Sequence, residues 1–499
     1  MNLISRQCRQ VHTIPAAQST TIAHLLDHGP EDPGKVVVSG YVRSIRQQKQ
    51  ATFVSVGDGT TAESMQAVMK PKEGQSLPNL TNGAAARFTG AWTESPNSKS
   101  QTHELLVDNV DIFGSSDPAT FPLQKKWHTP EYLRTLPHMR ARTSANSTTL
   151  RLRSDAIAAV TGMFNQHGFI QTHTPIITSS DCEGAGEVFH VGSAHKGKKG
   201  KDDDGTFFRA PKYLTVSSQL HLEALAQAVG KVWTLSPTFR AEKSDTARHL
   251  SEFYMLEAEL NYTEDMEDVM QTVQNAFRSV TDILQSGSRV AKELLGGGIG
   301  KGQKVDQEKE LLRRWRGGSH DFHRITYTDA IKLLRSSLHN FEHEPKWGNG
   351  LQAEHERYIA TTIGSTEDAV VPVFVTHYPK AIKPFYMLPS ANSEDGRETV
   401  DCFDLLVPEA CEIAGGSMRE YRLEPLIETM QANKMIPSGP MPSDEELGDL
   451  KWYIDLRKWG SAPHGGFGLG FDRLLGYLGN VPNIREVVTF PRWVGRCDC

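Results

Sequence analysis

The stretch FRAEKSDTARHLSEF, residues 239–253, sets Arg240, Glu242, Arg248, His249 and Glu252 between two phenylalanines, Phe239 and Phe253. Its flanks, VWTLSPTF and FYMLEAELNY, read as core strands rather than as supports for a solvated face. Arginines in such a frame can take phosphate or carboxylate in two-pronged fashion. A second cluster lies in FDLLVPEACEIAGGSMREYR (403–422), where Asp404 and Glu412 precede Arg419. Mg²⁺ prefers one or two carboxylates together with substrate phosphates, although an Asp/Glu pair is also ordinary surface chemistry. In GGFGLGFDRLLGYL (465–478), Arg473 stands at the start of a helical run and can hold a phosphate. No Lys-Ser/Thr follows and no βαβ unit precedes, so phosphate-loop and dinucleotide readings fail; the glycines read as permitting close helix packing. Two further stretches are LTVSSQLHLEAL (214–225), with Gln219 and Glu223 on an apolar background, and TSSDCEGAGEVF (178–189), a loop carrying Glu183 and able to close over a ligand.

These groups need elements to position them. Short β-branched runs between residues 36 and 114, including KVVVSGYVRSIRQ, ATFVSV and HELLVDNVDIFG, predict about five strands and a small OB-type barrel, a frequent oligonucleotide binder. Phe53 is its candidate for stacking on a base, with strand-core packing as the alternative. The net charge of −6 speaks against nucleic acid, but residues 123–153 carry seven Lys/Arg against Glu131 alone, a block that can follow a phosphate backbone. SDAIAAVTGMFNQHGF and MEDVMQTVQNAFRSVTDIL have helical apolar spacing, and FIQTHTPII reads as a strand broken by Pro175. Later strands and helices mix without βαβ alternation, which predicts an α+β domain on an antiparallel sheet. Six scattered cysteines without CxxC pairs exclude zinc ribbons and a disulfide framework, and no apolar run is long enough to span a membrane. The first 26 residues carry Arg6 and Arg9, several Ser/Thr and no acid, the composition of a mitochondrial presequence.

Taken together, the stretches resemble the class II aminoacyl-tRNA synthetases. FRAEKSDTARHLSEF is similar to their motif 2, GFGLGFDRLL to motif 3 and GFIQTHTP to motif 1, whose proline, here Pro175, lies at the dimer interface in the family. The order of barrel, linker and catalytic domain is that of the aspartyl, asparaginyl and lysyl subclass. After the presequence read over 1–26, the resemblance implies an OB-fold anticodon-binding domain over 27–118, a basic linker over 119–145 and a class II catalytic domain over 146–499, with insertions near 193–205 and 285–320 as departures from it. It implies ATP and Mg²⁺, a tRNA partner and a homodimer, while the composition of residues 1–26 points to the mitochondrial matrix, with the cytoplasm as the alternative. By residue, it gives Arg240 the α-phosphate and substrate carboxylate, Glu242 and Phe253 the adenine, and His249 and Arg473 the γ-phosphate. Asp404 and Glu412 would hold the metal, Glu183 and Gln219 the substrate ammonium, and Phe53, Arg43 and Gln66 the anticodon.

Among amino acids, the aspartyl pattern has a Lys three residues after the pocket Gln; here that residue is Leu222. Arg419 remains, matching the Arg that contacts the side-chain carbonyl. One fewer cation, with Glu257 near the pocket, suits a neutral carboxamide, which both donates and accepts. A carboxylate without countercharge would be penalised by burial. The wording SDCEGAGE, FDLLVP and SAPHGGFGLGFDR also resembles the asparaginyl branch, so L-asparagine and tRNA(Asn) are the expected substrates. An aspartyl enzyme is the alternative; a non-catalytic RNA-binding relative and a tRNA-independent amide ligase are rivals from other classes.

Overall fold

A computed structural model describes residues 20–71, 80–96, 101–179, 188–192, 207–208, 210–296, 304–391, 396–439 and 441–499. The chain divides into two compact units, Met1–Thr148 and Thr149–Cys499. In the first, β1 (Val36–Gln47), β2 (Thr52–Gly57), β3 (Met65–Met69), β4 (Ala85–Glu94) and β5 (His103–Gly114) close into a barrel of order β1-β2-β3-β5-β4. Alternate residues such as Val36, Val38, Val54, Val56, Met65, Ala67 and Phe88 fill its interior, as the two-residue strand period requires. Gly90 stands at an irregularity in the β4–β5 register, where an added Cβ would lie 2.0 Å from the Leu106 carbonyl oxygen. Residues 119–145, expected as a linker, carry two short helices, Pro130–Arg134 and Pro137–Arg140. Each opens on a proline, whose fixed φ suits a first helical turn.

The second unit adds β6 (Ile170–Gln171), β7 (Ile177–Thr178), β8 (Tyr213–Leu214), β9 (Lys231–Phe239), β10 (Glu252–Asn261), β11 (His323–Thr326), β12 (Val373–Thr376), β13 (Cys402–Val407), β14 (Cys411–Met418) and β15 (His464–Gly470). Eight of these form one sheet, β11-β12-β13-β14-β15-β10-β9-β6, and β7 pairs with β8. The six central strands are antiparallel, but both edge pairings, β11–β12 and β6–β9, are parallel, so the sheet is mixed. Along β10 the side chains divide by face: Leu256, Ala258 and Leu260 enter the main core, while Met255, Glu257 and Glu259 line a pocket. The amphipathic helix Met266–Gln285 packs Val269, Val273, Ala276, Phe277 and Val280 into that core.

Residues 285–320, expected as an insertion, are tied to the core at both ends. Val290, Ala291, Leu294, Leu311 and Trp315 are buried, and Trp315 Nε1 donates to the Leu478 carbonyl at 2.9 Å. The 193–205 insertion lies outside the described residues. Among the described residues, no helix is long and apolar enough to cross a membrane.

Candidate active site

β9 and β10 form the hairpin expected around residues 239–253, with Phe239 opposite Glu252 and Thr238 opposite Phe253. β9 ends at Phe239, so Arg240 stands just beyond it, still held by its amide N–H to the Ser251 carbonyl at 3.0 Å, and Glu242 lies in the connecting loop. The Arg240 guanidinium lies over the Phe253 ring, 5.6 Å from its centroid, and 3.9 Å from Glu242. His249 Nε2 is 3.3 Å from Glu242. Burial, reinforced by Arg473, Arg248 and Arg485 and opposed by Glu242, lowers the His249 pKa, so the ring is neutral at pH 7. Asp245, at the loop tip, pairs with Arg485 at 2.6 Å.

Two chambers meet at Arg240. One, of about 340 Å³, is lined by Gln219, Glu257, Glu259, Lys383, Asp404, Glu412 and Arg419, among others. The second, of about 120 Å³, is lined by Glu242, Arg248, His249, Phe253, Arg473 and Ile484. Arg240, Met255, Glu412 and Gly468 belong to both. The glycines of β15, read from sequence as aids to helix packing, serve a strand instead. A Cβ on Gly466 would lie 1.9 Å from Glu259 Oε2, and one on Gly416 of β14 would lie 2.4 Å from the Phe403 ring. Only bare backbone there leaves room for the side chains of the neighbouring strands.

The inner end of the larger chamber is a dense polar shell. Arg419, 3 % exposed, donates from Nε to Glu259 Oε1 at 3.1 Å and from a terminal nitrogen to Glu259 Oε2 at 3.0 Å. Glu257 accepts from the Ser217 hydroxyl at 2.6 Å and the Ser218 amide at 3.0 Å; burial nevertheless raises its pKa. Gln219 opens the helix Gln219–Val229, and its Nε2 donates to Glu223 at 3.1 Å.

Asp404 and Glu412 share one face because of a β-bulge. Leu405 pairs with Ala414, but Leu406 pairs with Glu412, so Ile413 is passed over and Glu412 turns to the side of Asp404. A Cβ on Gly415 would come within 3.3 Å of both carboxylates, so the glycine leaves a small cradle between them. Burial and the Asp404 charge raise the Glu412 pKa, against the pull of Arg473, Lys383 and Arg240. Two crowded carboxylates of this kind fit a divalent cation. Sequence reasoning missed their neighbours. Lys383 Nζ bonds both Asp404 oxygens, at 3.0 and 3.1 Å. Glu356 accepts from the Glu412 amide at 3.3 Å, and burial with Glu412 and Asp404 pushes its pKa up to about 7. Glu356 lies in the charged run QAEHERY (352–358), which reads as an ordinary exposed helix face, and Lys383 lies in the Lys/Pro-rich stretch PKAIKPF (379–385), so neither is marked locally as part of a site.

Glu183 lies outside the described residues. Pro175 is exposed between β6 and β7, among Ile170, Ile176 and Ile177, which are also exposed. On the barrel, Phe53 points away from the core-facing Val54, its ring 4.9 Å from the Arg46 guanidinium. Ser55 opposite Gln66 places Gln66 on that same outward face, where its Nε2 donates to Glu104 at 2.9 Å. One terminal nitrogen of Arg43 donates to the Ala62 carbonyl at 2.9 Å and to the Ser64 and Ser144 hydroxyls at 3.2 and 3.4 Å.

The family model for class II tRNA synthetases (D, K and N) matches residues 129–494. An asparaginyl-tRNA synthetase of Mus musculus is 41% identical over 464 residues, 93% of this chain and 91% of that protein. A mitochondrial asparagine–tRNA ligase of Schizosaccharomyces pombe is 39% identical over 474 residues, 94% of this chain and 96% of that protein. Among solved structures, asparaginyl-tRNA synthetase from Pyrococcus horikoshii complexed with asparaginyl-adenylate is similar with a TM-score of 0.78 at 27% identity, covering 96% of this chain and 99% of that one. With a charged hairpin at the mouth of two joined chambers and a family match over most of its length, the chain belongs to the class II tRNA synthetases of the aspartyl, lysyl and asparaginyl group.

Proposed function

We propose that the protein activates L-asparagine with ATP and transfers it to tRNA(Asn). The observation that carries this reading is the sharing of Arg240 between the two chambers. A carboxylate in the larger chamber and the α-phosphate of ATP in the smaller would both reach its guanidinium, so the reacting groups meet where charge builds up. The asparagine carboxylate oxygen attacks the α-phosphorus in line, the new O–P bond forms, and the bond to pyrophosphate breaks. Positioning and charge stabilisation are the whole of the catalysis.

Phe253 offers its ring to the adenine and Glu242 accepts at the base edge. Neutral His249 donates one N–H toward the γ-phosphate beside Arg473. Gln219 takes the substrate ammonium. Arg419 donates to the side-chain carbonyl and Glu257 accepts from the amide nitrogen. The chamber's cations, Arg240, Lys383 and Arg419, face four carboxylates, Glu257, Glu259, Asp404 and Glu412. That balance leaves no surplus positive charge for an aspartate side chain. Asp404 and Glu412 would hold Mg²⁺, which when bound supplies charge neutralisation at the phosphates.

In the second step the terminal ribose hydroxyl of tRNA takes the acyl group and AMP leaves. The outward pair Phe53 and Gln66 is the proposed contact with the anticodon, with Arg43 shaping the barrel beside them. The exposed isoleucines around Pro175 are the proposed homodimer surface. The composition of residues 1–26, with the mitochondrial relative, supports action in mitochondria, and a reporter fused to residues 1–30 tests it.

Amino-acid-dependent ATP–pyrophosphate exchange is the deciding measurement. Exchange with asparagine is expected; exchange driven by aspartate and not asparagine would refute the substrate assignment. Arg240→Ala is expected to abolish exchange with an unchanged circular dichroism spectrum, and retained exchange would remove Arg240 from the chemistry.

A further inference from the structure

Behind the larger chamber, Glu223 is fully buried and collects more partners than any nearby group the mechanism leaves unused. One oxygen accepts from Arg457 at 2.6 Å, the Tyr453 hydroxyl at 2.9 Å and His464 Nε2 at 3.2 Å; the other accepts from Gln219 Nε2 at 3.1 Å. Arg419 Nε is 4.0 Å away. Burial by itself would raise the carboxyl's pKa, but Arg457, His464 and Arg419 together hold it well below the ordinary carboxylate range. Only two of these partners, Gln219 and Arg419, line the chamber; Arg457, Tyr453 and His464 stand behind it.

We propose that Glu223 is a specificity-determining positioning residue, whose negative charge makes the chamber take a carboxamide and reject the isosteric carboxylate. It acts through two side chains. An ionised carboxylate can only accept hydrogen bonds, so Gln219 must turn its nitrogen to Glu223 and its carbonyl oxygen to the chamber. Substrate there meets an acceptor suited to an ammonium and hostile to a second carboxylate. Arg419, for its part, is already matched by the two-pronged Glu259 bond and by Glu223, so it donates hydrogen bonds without carrying unspent charge. Leu222, next to Glu223, supplies no cation. Arg457 does not line the chamber; it stands behind Glu223, its charge set against that carboxylate at 2.6 Å and its Nε held by the Glu420 carbonyl at 3.1 Å. An aspartate carboxylate would therefore enter a buried site with no countercharge to spare.

The inference rests on the asparagine reading, and the experiment separates the two. Wild-type exchange without a response to asparagine would overturn that reading itself. Given asparagine-dependent exchange, Glu223→Gln, which keeps the shape and loses the charge, is expected to lower the asparagine-over-aspartate ratio of kcat/KM by about tenfold or more, about 1.4 kcal/mol. The change should come chiefly from a lower aspartate KM. Glu223→Asp, which keeps the charge, is expected to hold the ratio. A purely structural role would depress both substrates alike, so an unchanged ratio in folded Glu223→Gln overturns the proposal. Should that variant fail to fold, Arg457→Gln gives the opposite sign: it uncovers the Glu223 charge and is expected to raise the ratio, and a fall would overturn the proposal.

Discussion

Glu356, on the helix Ala353–Gly364, faces Glu412 and Asp404, and its carboxyl is pushed up from an ordinary 4.5 to about 7. A folded-state pKa above the unfolded one means that the stability this group contributes is complete below about pH 4.5. That contribution is lost as pH rises from about 4.5 through 7, and amounts to at most about 3.4 kcal/mol. Glu356→Gln is therefore expected to flatten the decline in unfolding free energy between pH 5 and 8, measured by denaturant titration in chelator. An unchanged decline would assign it to other groups. Glu356 also marks the limit of what single residues disclose in sequence. Arg240, Glu242, His249 and Phe253 were legible because local strand pairing brings them together within one hairpin. Lys383, Glu356 and Arg485 reach the site through long-range pairing, and the partner of Arg485, Asp245, is 240 residues away along the chain.

At the scale of elements, β10 was legible as a strand but its alternation carried more than expected: one face feeds the core and the other presents Met255, Glu257 and Glu259. The bulge at Ile413 was not legible, since a one-residue slip leaves no mark in composition, yet it decides where Glu412 points. The glycines of β15 were visible and assigned to the wrong kind of packing. Gly466→Ala would drive a methyl into Glu259 and into the Ala258 carbonyl oxygen, at 1.9 and 2.4 Å. A loss of about 1–3 kcal/mol is expected, as for overpacked cores. Exchange should fall with it, because Glu259 holds Arg419. Wild-type stability and exchange together would mean that β15 has slack there.

For the whole molecule, the barrel and a sheet with an antiparallel centre followed from strand-length apolar runs, whereas the parallel edge pairings and the burial of Trp315 did not, the latter because the Gly/Arg-rich residues around it mask a helix end that reaches the core. The exposed Ile170, Ile176 and Ile177 beside Pro175 are the surface proposed for a second copy. Ile177→Asp is expected to shift sedimentation from dimer to monomer, and an unaltered dimer would place the interface elsewhere. Strand order carries a consequence in time. β15, which begins at His464, is made after every other strand of its sheet, yet it lies between β14 and β10, at the middle of the sheet. Until it emerges, both of those strands keep an open edge, and Gly468, shared by the two chambers, is not yet in place. A nascent chain stalled before residue 464 is thus a substrate for chaperones and proteases and holds no working enzyme, however completely its motif 2 hairpin has formed.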